Sequence, residues 1–150
     1  MSEKHVVEYD ENTISVLEAV WGEGFMSPGG TEEVDRVLGS VDLSQANVLD
    51  IGCGIGGAAV HLALTRKPKA ITGVDIEENL INLSQELADK NGVSDICSFQ
   101  QVDPGPLAFS PESFDVVFSK DSIIHITDKF GLAENVYQLL APGGLFLASD

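Results

Sequence analysis

The residues best placed to do chemistry lie in one run, Val48-Leu49-Asp50-Ile51-Gly52-Cys53-Gly54-Ile55-Gly56-Gly57, and in an acidic residue further on, Asp75. The run reads as a strand, a glycine turn and the start of a helix. Glycines are needed there because a side chain would keep a ligand away from the backbone and from the helix N-terminus. Asp75 closes a second strand, where a carboxylate can accept both hydroxyls of a ribose. Gly52, Gly54 and Gly57 fit the spacing G-x-G-x-x-G, and Gly52, Gly54 and Gly56 fit G-x-G-x-G. Spacing alone therefore leaves more than one nucleoside ligand open.

Two details separate the ligands. Asp50, two residues before the first glycine, would repel a pyrophosphate, whereas the ammonium group of S-adenosylmethionine suits it. The second detail is Leu140-Ala141-Pro142-Gly143-Gly144 ahead of the last strand. With this turn, residues 47–150 resemble the class I methyltransferases, which pair D-x-G-x-G with L-x-P-G-G. The resemblance implies that Gly52, Gly54 and Gly56 line the methionine and ribose end of S-adenosylmethionine. It also implies that Asp50 belongs to that site, that Asp75 holds the ribose and that Ile76 packs on the adenine. Asp103, placed at the end of the third strand, would meet the adenine amino group.

Tyr9 and two further segments narrow the resemblance. The segments are Trp21-Gly22-Glu23-Gly24-Phe25-Met26-Ser27-Pro28-Gly29-Gly30 and Ser119-Lys120-Asp121-Ser122-Ile123-Ile124-His125-Ile126. Together they are similar to the phosphoethanolamine N-methyltransferases, with their F-G-E-G-Y-x-S-x-G-G and S-R-D-x-I-L-H-I segments. The resemblance implies a catalytic pair of Tyr9 and His125, with Asp121 orienting the amine or its water. Met26, Ser27 and Lys120 would touch the cofactor. The chemistry suits the residues: an amine must lose a proton to attack a methyl sulfonium, and a histidine accepts protons near neutral pH. Lys120 replaces the family's arginine and loses its planar fork; Phe25 replaces a tyrosine. The family's phosphate-binding residues would fall beyond Asp150. Three readings follow: methylation of phosphoethanolamine or a methylated relative, methylation of another acceptor such as a glycine-type amine or a carboxylate, and cofactor binding without turnover.

The elements that must position these residues alternate from Asn47 onward. Strands are expected at 47–51, 70–76, 97–102, 114–119 and 144–149, with helices at about 57–65, 78–90 and 129–140. The pattern predicts an α/β, doubly wound, mostly parallel Rossmann-like sheet. The last strand is followed by no helix, so the core reads as incomplete at its C-terminus. Residues 1–46 read as a helical cap or lid ahead of the core, residues 47–150. Within the cap, Ile14, Leu17, Val20 and Trp21 form a helical stripe, and Thr31 is a suitable N-cap for a helix ending at Gly39.

The totals set the remaining bounds. A chain of 150 residues argues for one domain, and 24 acidic against 8 basic side chains leave a net charge of −16. Such a charge disfavours nucleic acid and anionic membranes as partners. Cys53 and Cys97 lack metal spacing, and His5 and His61 lack a supporting pattern. The charged N-terminus has no apolar leader core. The expectation is a cytoplasmic protein with a small-molecule amine substrate, no metal, and dimerisation through its exposed last strand.

Overall fold

The computed structural model describes residues 9–150. The N-terminal part holds two helices, α1 (Glu11–Trp21) and α2 (Gly30–Leu38). Asp10 caps α1 by accepting from Thr13 N at 2.8 Å, which satisfies one of the helix's unpaired N–H groups. The N-cap of α2 is Gly29 in a left-handed conformation rather than Thr31. Gly29-Gly30 turns back sharply enough to start the helix ahead of the threonine, so no side-chain cap forms. Of the α1 stripe Ile14 is buried, whereas Val20 and Trp21 are exposed.

The core follows as β1 (Asn47–Ile51), α3 (Gly57–Arg66), β2 (Ala70–Asp75), α4 (Glu78–Lys90), β3 (Cys97–Gln101), β4 (Phe114–Lys120), α5 (Lys129–Leu139) and β5 (Leu140–Ser149). The five strands form one parallel sheet in the order β3-β2-β1-β4-β5. Val, Ile and Leu dominate β1 and Val and Phe dominate β4, the apolar content that strands covered on both faces require. Leu49, Val117 and Phe118 are fully buried at the centre. Apolar side chains cluster on the two sheet faces, one group around Val34, Leu62 and Phe118, the other around Leu49, Val117 and Leu139.

The fifth strand starts earlier than its apolar stretch. Phe114 pairs with Leu140 and Val116 with Leu145, so the Pro142-Gly143-Gly144 turn is an irregularity inside the pairing. Gly143 takes a φ of +79°. A Cβ on Gly144 would meet Asp115 O at 3.0 Å, so glycine is needed where the bulge crosses its neighbour. No helix among the described residues is long and apolar enough to cross a membrane.

The chain winds outward from β1 in both directions. Between β1 and β4 the winding direction reverses, which makes the C-terminal ends of these strands a topological switch point. That is where open parallel sheets bind ligands, and it is where Asp50 and Lys120 end up.

Candidate active site

The glycine loop joins β1 to α3. Gly52, Gly54 and Gly56 all have positive φ, at 73°, 55° and 92°, a region closed to most side chains. The N–H groups of Gly52 and Cys53 both donate to Val74 O, at 2.9 and 3.0 Å. Gly54 N donates to Asp75 Oδ2 at 3.0 Å, and Glu77 N to Asp75 Oδ1 at 3.1 Å. Asp75 therefore braces the glycine loop and the start of α4 at once. Ser84 Oγ donates to Gly54 O at 2.7 Å and Ser122 Oγ to Gly52 O at 3.1 Å. A Cβ on Gly52 would fall 2.1 Å from Ser122 Oγ.

Asp50 lies at the end of β1 and is 2% exposed. Its Oδ2 is buried without a hydrogen-bond partner. Burial, with the Asp75 charge adding to it and Lys120 opposing it, pushes its carboxyl up to about 7. An unpaired buried carboxylate is costly, and a cation brought beside it would relieve that cost. Ile76 is exposed although apolar, and Asp103 is exposed two residues beyond the end of β3. Asp75 ends β2 and Ile76 follows it, while Asp103 follows the neighbouring strand β3.

The segment between α1 and α2 is clasped to this loop. Gly57 N donates to Gly24 O at 3.0 Å. A Cβ on Gly57 would stand 2.2 Å from Gly24 O, and one on Gly24 would stand 2.8 Å from Gly57 Cα. Gly24 N in turn donates to Glu18 Oε1 at 2.8 Å. Met26 reaches the loop too, with its Cε 3.6 Å from where a Gly54 Cβ would be. The second tie is Lys120. Its buried ammonium donates to Ser27 Oγ at 2.6 Å, Pro28 O at 2.9 Å and Asp121 Oδ2 at 2.9 Å, and lies 5.8 Å above the Phe25 ring. Three hydrogens meet three oxygens, so the cation is held without a remaining donor.

Asp121 has a φ of +55°, uncommon for a residue with a side chain, and its N–H donates to Ser149 O. His125 ends a short 3-10 helix, Ile123–His125, and is exposed. Tyr9 is half-buried, packed with Met26 and Leu83 against Ile14, Ile55 and Leu80. His5 lies outside the described residues. His61 pairs with Asp35 at 2.9 Å, which joins α2 to α3 and gives it a structural task. A cavity of about 360 Å³ lies between α1 and α4, lined by Ile14, Ile55 and Leu87 with Glu11, Glu18 and Glu86. It contains none of Asp50, Asp75, Lys120 or His125.

Sequence reading overlooked Gly24, Ser84 and Ser122 as parts of this arrangement. Gly24 and Ser122 stand inside the two segments already singled out. Ser84 carried no signal, because an exposed helical serine and one aimed at a glycine carbonyl look alike in sequence.

A methyltransferase domain family matches residues 42–150. The chain belongs to that methyltransferase family. It is 37% identical over 145 residues to phosphoethanolamine N-methyltransferase 1 of Triticum aestivum, covering 96% of this chain and 28% of the wheat protein. It is 31% identical to the phosphoethanolamine N-methyltransferase of Plasmodium falciparum, covering 95% of this chain and 53% of that protein. Among solved structures it is similar to a Haemonchus contortus phosphoethanolamine N-methyltransferase 2, at 34% identity and a TM-score of 0.86. That structure holds phosphomonomethylethanolamine and S-adenosylhomocysteine; the alignment covers 95% of this methyltransferase chain and 34% of the nematode chain. This methyltransferase chain therefore spans between about a quarter and about half of the curated relatives it matches.

Proposed function

We propose that this methyltransferase chain binds S-adenosylmethionine and takes part in methylating the amine of phosphoethanolamine or of a methylated relative. One observation carries the cofactor half: Asp50 Oδ2 is buried and unpartnered below the glycine loop, in a place that favours an ammonium group and disfavours a phosphate. Asp75, at the end of β2, accepts the ribose hydroxyls. Gly52, Gly54 and Gly56 keep the loop backbone open to the ligand. Ile76 offers an apolar face to the adenine, and Asp103 an acceptor for its amino group. Met26, Ser27 and Lys120 close the methionine end.

The cofactor supplies a methyl group on a positively charged sulfur; the residues bring an amine to it without its proton. His125 is the base. Its exposed ring lets the proton pass on to water. Tyr9 covers the cleft from the α1 side and holds the imidazole by its hydroxyl. Asp121, fixed by Lys120, orients the amine. The attack then depends mainly on alignment. Residues 1–46 act as the lid and 47–150 as the core. Cytoplasmic location and dimerisation belong to the same proposal; sedimentation tests the second, and a monomer at high concentration removes it.

A second reading concerns the acceptor. Lys120, the cation of the S-K-D segment, is spent on Ser27, Pro28 and Asp121, so it offers no donor to a phosphate, and an amine without a phosphate is the second reading. Turnover assays with phosphoethanolamine, glycine-type amines and no acceptor separate the readings. Cofactor consumption that rises only with phosphoethanolamine supports the first. Cofactor binding without turnover on any acceptor defeats both.

A further inference from the structure

We propose that Asn79 is a positioning residue for this reaction, acting through the backbone of Tyr9. The inference rests on the reading of Tyr9 and His125 as a working pair. Asn79 stands in the first turn of α4, four residues after Asp75. Its Nδ2 donates to Tyr9 O at 2.9 Å, across 70 residues of sequence. The next residue, Asp10, caps α1 through its side chain and accepts from Ile14 N through its carbonyl. The root of Tyr9 is therefore fixed on both sides, by Asn79 from the core and by the cap of α1. Its ring then has only the freedom of its own side-chain torsions.

Two features give this bond more weight than an ordinary surface contact. Asparagine is a weak helix former whose amide usually bonds to its own segment, yet here it reaches the N-terminal arm. The second feature is the path. Asp75 bonds to Gly54 N and Glu77 N, and Asn79 lies within one turn of Glu77. One short segment thus joins the ribose-binding carboxylate to the residue that covers the cleft. Occupation of the nucleoside corner is coupled to the placement of Tyr9.

The test uses Asn79→Asp, which keeps the shape but removes the donor. An acid in the first turn of a helix is well tolerated, so the melting temperature should not fall. Turnover should drop about tenfold while S-adenosylhomocysteine affinity stays within about twofold, as expected for one lost positioning bond. Asn79→Gln, which keeps an amide, should recover part of the rate. The double variant with Tyr9→Phe should be no slower than Tyr9→Phe alone, because both changes act on one group. Amide exchange over residues 10–21, with S-adenosylhomocysteine bound, should run about tenfold faster in Asn79→Asp; this readout requires no turnover. Unchanged exchange, or additive losses in the double variant, overturns the proposal. A slow Tyr9→Phe beside a fully active Asn79→Asp overturns it alone, whereas a fully active Tyr9→Phe takes the pair reading down with it.

Discussion

At the ends of β1 and β2 the loop groups satisfy one another. Asp75 braces two backbone N–H groups, two serines hold the carbonyls of Gly52 and Gly54, and Val74 O accepts twice. On the 3-10 turn beyond β4 the arrangement is looser. His125 is exposed on a single 3-10 turn, and its backbone bonds stay within its own segment. A surface that must fit one invariant cofactor can be completed in advance. A surface that must admit an acceptor and release a larger product has to keep some freedom.

The comparison can be broken at either end. The largest effect is expected at the looser one: His125→Ala should lower turnover by about a hundredfold or more while cofactor affinity moves little. Equal losses in a rate assay and a cofactor titration would remove the base assignment. Next comes the clasp. Gly57→Ala drives a methyl group into Gly24 O and should cost about 2–3 kcal/mol, seen as a drop of roughly 5–10 °C in melting temperature. A melting curve that does not shift would mean that the two segments part easily.

A smaller effect belongs to Asp75→Ala, which should weaken S-adenosylmethionine binding by roughly tenfold or more through lost ribose acceptors. Calorimetry checks it, and unchanged affinity would free Asp75 of that role. The smallest is a pH effect at Asp50. Its folded carboxyl lies near 7, above the unfolded value of about 4. The folded state therefore holds the extra proton, and stability falls as pH rises between these values. A cationic ligand draws the proton off, so binding should tighten about tenfold from pH 6 to pH 8. Asp50→Asn should abolish the slope, and a persistent slope would assign the proton elsewhere.

Much of the fold was legible because its punctuation is chemical. Gly39, Gly92 and the Pro142 turn mark ends that the structure keeps to within a few residues. Strand five began earlier than expected because a bulge carries Leu140 into the pairing, and apolar content does not announce a bulge. Asp50 and the loop glycines could be read because their residue types are expensive anywhere else. The tasks of Gly24, Lys120 and Asn79 depend on contacts between distant segments, and nothing local in the sequence encodes such contacts. Trp21 shows the limit of periodicity: it shares the helical stripe with Ile14, yet Ile14 is buried and Trp21 is exposed.

The clasp also bears on time. Gly24 and Gly57 share a bond, Glu18 holds Gly24 from behind, and Lys120 ties down Ser27 and Pro28. Ties spaced along one short segment yield together rather than one after another. On the proposed reading, with the cofactor beneath that segment, its departure requires these ties to open, so substitutions in the clasp are expected to change residence time more than those in the glycine loop.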